Sequence, residues 1–174
     1  CLPKSASGDD PEFGEYFAPS DTRPLSIVNC DNRIVASALR WRWEGNLKHF
    51  VRQRQQGFLQ GRSILKNLIE VDNTMIMRSL LDDNAAAIFL DFAAAFPSIS
   101  QDYCMKTLAE YGLPESELRA LRMLFNNASC TVSVKGGSFE GFNLSSGVRQ
   151  GCPLSPLIYA LAAETILDKL ELEI

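Results

Sequence analysis

The sequence predicts an α+β fold that is rich in helix and carries a small antiparallel sheet, and three observations lead to this class. Several segments repeat apolar residues at helical spacing. A run of four apolar residues, 87–90, ends abruptly at Asp91, as a buried strand does. Residues 130–142 surround Gly136 and Gly137, which is typical of a β-hairpin with a glycine turn. A chain of 174 residues is long enough for one compact core.

The N-terminal part is predicted to begin irregularly and then to form a long helix. Residues 5–22 lack periodicity and indicate a loop or an insertion, and 23–28 indicate extended chain. A helix over 31–53 follows, capped by Asn29 or Asp31. Its predicted inward residues recur at helical spacing and are Val35, Leu39, Trp43, Leu47 and Phe50.

A second long helix is predicted from the N-cap Ser63 to about Leu81, after a break at Gly57 and Gly61. Its predicted inward residues are Leu65, Leu68, Ile69, Met75, Ile76 and Leu80. An acidic turn then leads into the strand before Asp91.

Three shorter helices are predicted in the C-terminal part. One covers 101–111 and is ended by Gly112, and another begins at Pro114. The apolar face of the helix after Pro114 consists of Leu118, Leu121, Leu124 and Phe125. Ser155 is a good N-cap for a last helix over 156–170.

Cysteine and histidine usage excludes several classes of site. The five cysteines are widely spaced and form no CxxC pair, which argues against a zinc site or a disulfide framework and for reduced, intracellular thiols. His49 is the only histidine, so catalytic triads and histidine-based metal sites are excluded. A metal would be held by oxygen, which favours a hard ion such as Mg²⁺. No apolar run approaches the roughly 20 residues of a membrane-spanning helix.

Basic residues concentrate in one stretch, although the chain as a whole carries a net charge of −4. Between positions 33 and 66 the only acid is Glu44. The basic residues there are Arg33, Arg40, Arg42, Lys48, Arg52, Arg54, Arg62 and Lys66. A solvated helix face and a phosphate-binding surface are both consistent with this pattern, and composition alone favours the solvated face.

Asp91 is the candidate metal ligand of the predicted strand. A strand that ends in a carboxylate places oxygen donors at the edge of a sheet. An aspartate at this position also begins turns and caps helices, so the residues alone leave both interpretations open.

The segment 89–96, which contains Asp91, and the segment 147–156 together resemble motifs of reverse transcriptases, and the closest likeness is to the non-LTR (LINE-type) retrotransposon branch. Residues 89–96, Phe-Leu-Asp-Phe-Ala-Ala-Ala-Phe, resemble the first catalytic motif. Residues 147–156, Gly-Val-Arg-Gln-Gly-Cys-Pro-Leu-Ser-Pro, resemble the nucleotide-site motif that follows it and are the more specific match. Weaker likenesses in the family's order lie at 2–4, 22–29 and 56–63.

The resemblance implies a right-hand polymerase fold. Residues 1–84 would form a fingers-like region, with 5–22 as a loop or insertion. Residues 85–174 would form part of the palm, with a partial antiparallel sheet. The family's third catalytic motif, with its paired aspartates, and the thumb are expected beyond the last residue, so the chain alone is expected to be inactive.

The resemblance also implies a nucleotidyl-transfer site that uses two Mg²⁺ ions in the complete enzyme. Asp91 would be a catalytic carboxylate and metal ligand, and the backbone carbonyl of Phe92 would help to hold the second ion. Phe96 would lie beneath the incoming sugar and exclude a 2′-hydroxyl, with Ala95 beside it in the nucleotide site. The alternative for Phe96 is an ordinary core residue.

Further positions are assigned to substrates by the same resemblance. Gln150 and Gly151 would line the nucleotide pocket, although the glycines of that motif could also simply shape a turn. Arg23 and Arg33 would contact the triphosphate of a deoxynucleoside triphosphate, with surface charge as the alternative. The RNA template and DNA primer would be followed by Arg40, Lys48, Arg52, Arg62 and Lys66.

Two departures from the family pattern keep other functions open. Ala94 and Pro97 stand where the family usually has Lys and Asp, and Pro97 is expected to change the local turn. These departures favour a non-catalytic retroelement remnant that at most binds nucleic acid. A group II intron maturase-like or RNA-copying polymerase is the third possibility.

The sequence also leads to expectations about the larger protein, the cellular location and the edge of the sheet. The absence of an initiator Met suggests a start inside a longer polyprotein, whose remainder would be a partner. The resemblance implies a nuclear location. The palm sheet is expected to have an open apolar edge beside the Asp91 strand.

Overall fold

The computed structural model describes residues 2–23, 27–134 and 136–173. Six α-helices lie in these ranges: α1 (Cys30–Leu47), α2 (Ile64–Leu81), α3 (Ala95–Ser98), α4 (Gln101–Glu110), α5 (Glu115–Phe125) and α6 (Ser155–Glu173). The strands are β1 (Leu2–Pro3), β2 (Gly8–Asp10), β3 (Gly14–Tyr16), β4 (Thr22–Arg23), β5 (Ser129–Val134) and β6 (Gly137–Asn143). They pair as three two-stranded antiparallel sheets, β1–β4, β2–β3 and β5–β6. The predicted mixture of helix and small antiparallel sheet is confirmed. None of the helices among these residues is long and apolar enough to cross a membrane.

The core lies where α4 packs on α6 and α5, and α1 contacts α6. Fully buried side chains come from each of these helices and include Ala36, Cys104, Leu108, Leu121, Leu157 and Leu161. Burying a Leu side chain contributes about 1.5–3 kcal/mol, so this four-helix contact is the main source of stability. The predicted helices of the C-terminal part therefore form the folded body.

The start of the chain differs from the loop predicted over 5–22. Residues Gly8–Asp10 and Gly14–Tyr16 form a β-hairpin, with Asp9 opposite Glu15. The carboxylate of Asp10 accepts hydrogen bonds from the backbone N–H groups of Glu12 and Phe13, at 2.9 and 3.0 Å. This side-chain turn was not expected because short polar strands have no periodicity. Pro24, in the predicted extended piece, lies outside the described residues.

Helix α1 is shorter than predicted. It ends at Leu47 and continues as a 3₁₀ turn over Lys48–Phe50. Trp43 and Leu47 are buried as expected, whereas Val35 and Phe50 are about half exposed. Leu39 is half-buried, and Ala36 takes an inward position instead, because a small side chain allows α1 to approach the core closely.

Helix α2 forms as predicted, but its apolar side faces outward. The hydroxyl of Ser63 accepts a hydrogen bond from the N–H of Leu65 and caps the helix. The predicted inward residues are all exposed, from Met75 at 44% to Leu80 at 76%, and the helix buries no residue. The prediction of their burial is wrong because periodicity defines an apolar face but not the surface that covers it.

The strand predicted before Asp91 is absent. Residues 85–92 have no regular secondary structure, and Ile88, Phe89 and Leu90 are 74–85% exposed. A strand is stable only when a neighbouring strand satisfies its N–H and C=O groups. Among the described residues no strand lies beside this segment, so the predicted sheet edge does not form.

Candidate active site

The two predicted motifs meet through backbone hydrogen bonds. The N–H of Val148 donates to the carbonyl of Phe96 at 2.9 Å, and the N–H of Gly147 donates to the carbonyl of Ile99 at 2.8 Å. The side-chain amide of Gln101 donates to the carbonyl of Gly147 at 3.0 Å. Three bonds therefore join two stretches about 50 residues apart in sequence, and this contact holds the candidate site together.

Gly147 makes this approach possible. Its φ is +79°, in the left-handed region, and it is buried. A Cβ at this position would lie 2.7 Å from the carbonyl oxygen of Pro97 and 2.9 Å from that of Phe96. Any side chain would force the two motifs apart, so glycine is required for both its backbone angle and its size.

Pro97 fits its position without disruption. It lies in the short helix α3, which starts at Ala95 after Ala94 in the left-handed conformation with a φ of 55°. The first N–H groups of a helix have no partner within that helix, so the absent N–H of Pro97 leaves no hydrogen bond unmade. Pro97 is therefore accommodated in this one-turn helix, and the expected change relative to the turn of the family stays a prediction.

The half-buried ring of Phe96 contacts two other aromatic rings. Its centroid is 5.0 Å from that of Tyr159 on α6 and 5.8 Å from that of Phe58 in the turn before α2. These tilted arrangements are favoured by aromatic quadrupoles. The sequence did not indicate either neighbour, because Phe58 and Tyr159 lie far from Phe96 in the chain and about 100 residues from each other.

Asp91 and Phe92 lie in the exposed segment before α3, and Phe92 is 57% exposed. Their carboxylate and carbonyl oxygens are the hard donors that Mg²⁺ prefers. Across the part of the chain that the structure describes, no three His, Cys, Asp or Glu residues lie close enough together to hold a metal ion. One carboxylate does not complete a divalent-metal site, so these residues alone do not fit the ions.

The middle of the nucleotide motif is a solvent-facing turn. Gln150 and Gly151 are exposed, and Gly151 has a φ of +103°, which favours glycine. The side chain of Arg149 holds this turn by donating a hydrogen bond to the backbone carbonyl of Leu124. The turn leads into α6, where the buried hydroxyl of Ser155 has no hydrogen-bond partner among the described residues.

Much of the basic stretch is engaged with the protein itself. The guanidinium of Arg62 donates to four backbone carbonyls, those of Lys48, Val51, Arg52 and Gln55, at 2.6–3.1 Å. Arg42 pairs with the buried carboxylate of Glu117 at 2.8 Å, and Lys66 lies 3.7 Å from Glu70. These contacts give Arg62 and Arg42 structural roles in addition to any contact with a phosphate.

A charge network connects the loop after α1 to α6. Arg52 and Arg54 pair with Asp168 and Glu171, and Arg54 also reaches Glu164 at 3.1 Å. Glu164 is 1% exposed. Acids at helical spacing on one side of α6 were the signal in the sequence, but they were not matched to the arginines.

The remaining predicted cations are Arg23, Arg33 and Lys48. Arg33 and Lys48 are exposed on α1 and the turn that follows it. Arg23 pairs through its backbone with Leu2, which confirms extended chain at that residue, and its side chain lies outside the described residues. Ala95 is half-buried at the start of α3 beside Phe96.

A family model described as reverse transcriptase (RNA-dependent DNA polymerase) matches residues 3–174. The chain therefore belongs to the reverse transcriptase family, and the resemblance found in the sequence is confirmed.

Three relatives narrow the branch of the family. The chain is 28% identical over 157 residues to the Transposon TX1 uncharacterized 149 kDa protein of Xenopus laevis, covering 90% of this chain and 12% of that protein. It is 29% identical over 156 residues to the Pol polyprotein of the type-2 retrotransposable element R2DM of Drosophila melanogaster, covering 90% and 15%. It is 24% identical over 162 residues to a Pol polyprotein of the type-1 retrotransposable element R2 of Popillia japonica, covering 92% and 22%. The first is a transposon protein and the other two are Pol polyproteins of retrotransposable elements. The chain is a reverse transcriptase fragment of the non-LTR branch and spans less than a quarter of the length of each relative.

Proposed function

We propose that the chain contributes the nucleotide-binding side of an RNA-directed DNA polymerase in a larger polyprotein. The observation that carries this proposal is the backbone pairing of the two motifs, Phe96 with Val148 and Ile99 with Gly147. It joins the segment that begins at Asp91 to the turn that carries Gln150, as a shared nucleotide pocket requires.

In this proposal residues 1–84 belong to the fingers and 85–174 to the palm. Asp91 is the first metal carboxylate, and Phe92 contributes its carbonyl. Asp91 and the carbonyl of Phe92 would hold Mg²⁺ only together with further ligands, and metal at this site would supply electrostatic stabilisation for nucleotide transfer to the primer 3′-hydroxyl. Among the described residues no three His, Cys, Asp or Glu lie close enough together to hold a metal ion, so the proposal takes the remaining ligands from elsewhere in the parent protein.

The half-buried ring of Phe96 is proposed to select the sugar. An aromatic ring beneath C2′ leaves no room for a hydroxyl, so a deoxynucleotide fits and a ribonucleotide does not. The hydrogen bond from the N–H of Val148 to the carbonyl of Phe96 fixes the backbone of Phe96 relative to Gln150 and Gly151. Arg23 and Arg33 are proposed to meet the triphosphate.

We propose that the basic residues outside the nucleotide site contact the RNA template and DNA primer. Lys48 and Lys66 are exposed, and phosphate contacts through such side chains provide affinity without sequence preference. Arg40, Arg52 and Arg62 contribute positive potential from positions that are fixed by the protein. A nuclear location is part of this proposal and rests on the resemblance to the family alone.

The test is extension of a DNA primer on an RNA template by the complete parent polyprotein. We expect incorporation of deoxynucleotides that depends on the RNA template and on Mg²⁺. Preferential incorporation of ribonucleotides would identify an RNA-copying enzyme instead. Absence of any extension, with nucleic-acid binding retained, would identify a non-catalytic remnant and overturn the proposal.

A further inference from the structure

We infer that Arg40 and Phe58 are positioning residues for the ring of Phe96, and that they thereby set how strongly the site prefers deoxynucleotides. This inference rests on the proposed role of Phe96 in sugar selection. It assigns to Arg40 a task other than contact with nucleic acid.

Arg40 joins three parts of the site through one guanidinium group. Its Nη2 donates to the carbonyl of Phe58 at 3.1 Å, and its Nη1 donates to the carbonyl of Pro153 at 3.0 Å. Its Nε donates to the carboxylate of Glu44 at 3.1 Å, one turn further along α1. The planar fork of arginine supplies donors in these three directions at once, which lysine does not.

Glu44 completes the clamp from the same helix. One carboxylate oxygen accepts from Arg40, and the other accepts from the backbone N–H of Gln60 at 2.7 Å. Burial would raise the pKa of Glu44, but the hydrogen bonds from Arg40 and Gln60 together lower it, so the carboxylate stays charged at neutral pH. The turn that contains Phe58 is thus held at two points, its Phe58 carbonyl and its Gln60 N–H.

The clamp is needed because Phe58 has a costly backbone conformation. Its φ is +65°, in the left-handed region that aromatic residues seldom adopt. The ring is 56% exposed, so burial of the side chain does not explain why the conformation persists. The consequence of the conformation is the ring contact with Phe96 at 5.8 Å.

The ring of Phe96 is therefore supported by two other rings, Tyr159 and Phe58. Tyr159 belongs to helix α6 of the core, and Phe58 belongs to the clamped turn. If the clamp is removed, Phe58 can return to a negative φ and its ring leaves Phe96. Phe96 then gains freedom to move away from the sugar, and the site tolerates a 2′-hydroxyl better.

The experiment measures, in the parent polyprotein, the ratio of kcat/KM for a deoxynucleotide to that for the matching ribonucleotide. Phe96→Val is the reference for loss of selection. Arg40→Met removes the clamp, and Phe58→Gly keeps the left-handed backbone while removing the ring. Arg42→Met is the matched control, because Arg42 lies on the same helix and pairs with Glu117 instead.

We expect Arg40→Met and Phe58→Gly each to lower the ratio about two- to tenfold, the worth of one aromatic pair. We expect no further loss when either is combined with Phe96→Val, and no change in Arg42→Met. A ratio that falls in Phe96→Val but stays at the wild-type value in both clamp variants would overturn the inference and leave the proposed function intact. A ratio unchanged in Phe96→Val would overturn the sugar-selection role itself and the inference with it.

A second measurement does not depend on activity. In the 174-residue chain, the amide hydrogen of Gln60 is expected to exchange faster in Arg40→Met than in Arg42→Met, because Glu44 loses the partner that orients it. Equal exchange rates in the two variants would show that the clamp does not hold this turn, and would overturn the inference.

Discussion

Gly147→Ala tests the contact on which the candidate site depends. The new Cβ would lie 2.7 Å from the carbonyl oxygen of Pro97 and 2.8 Å from its Cα, and both belong to backbone. Flexible side chains could yield to such a contact, but here the two motifs themselves must separate. The substitution is therefore expected to weaken the bonds from Val148 to Phe96 and from Gly147 to Ile99.

The magnitude has two parts. A left-handed conformation costs a residue with a Cβ about 1–2 kcal/mol. Loss of two backbone hydrogen bonds adds about 0.5–1.5 kcal/mol each. We therefore expect Gly147→Ala to lower the free energy of unfolding by roughly 2–5 kcal/mol.

The assay is urea unfolding of the 174-residue chain, followed by circular dichroism and tryptophan fluorescence. Gly61→Ala is the matched control, because Gly61 has a φ of +80° but nothing within 4 Å of its would-be Cβ. It should lose only the cost of the backbone angle, about 1–2 kcal/mol. If the two variants lose the same free energy, the close approach of the motifs at Gly147 is refuted.

Three further predictions concern the core, the thiols and the basic surface. Arg54→Met should lower the free energy of unfolding by about 3 kcal/mol in the same urea assay, because it removes the charged partner of the buried Glu164. Burial raises the pKa of Cys104 to about 11, so iodoacetamide at pH 8 should label the exposed Cys30 in mass spectra and leave Cys104 unmodified until the chain is unfolded. Because the pKa of Cys104 is raised in the folded chain, the stabilisation from its neutral thiol is fully present below about pH 9. The free energy of unfolding loses this contribution as the pH rises to about 11. Lys48→Ala should weaken nucleic-acid binding in fluorescence anisotropy and reduce the slope of log K against log salt by about 0.7–0.9.

Each of these predictions has a result that contradicts it. Arg52 is the control for Arg54, because its side chain is 56% exposed and Arg52→Met should cost no more than about 1 kcal/mol. An equal loss in both variants would show that Glu164 does not depend on Arg54. Rapid labelling of Cys104 in the native chain would contradict its burial, and a salt slope unchanged in Lys48→Ala would remove that residue from the phosphate-facing surface.

Local patterns in the sequence predicted most of the helices and the C-terminal hairpin. Ser63 caps α2 as expected, and Gly112, with a φ of +81°, ends α4. These features depend on residues within one or two turns of each other, so they can be read from short stretches. The same locality explains two of the wrong predictions, since neither the sequence before Asp91 nor the apolar side of α2 contains information about its neighbours.

Long-range side-chain contacts in the candidate site could not be predicted. Arg40 was assigned to nucleic acid because its charge was visible in the sequence, whereas its acceptor on Pro153 lies 113 residues away. The pairing of Phe96 with Val148 likewise follows from the fold and not from any periodicity. The resemblance to a family predicted that these segments share one site, but it predicted only the roles of their residues and not the contacts between them.

The most direct test of the proposed function is RNA-templated primer extension by the parent polyprotein that carries Asp91→Asn. The matched control is Asp83→Asn, an exposed aspartate outside the motif. If Asp91 is a metal carboxylate of the polymerase, its neutral isostere should lower the rate by about 10²-fold or more, as loss of a transition-state electrostatic group does, while Asp83→Asn keeps full activity. Full activity in Asp91→Asn would contradict the assignment of this residue and the account of the site built on it.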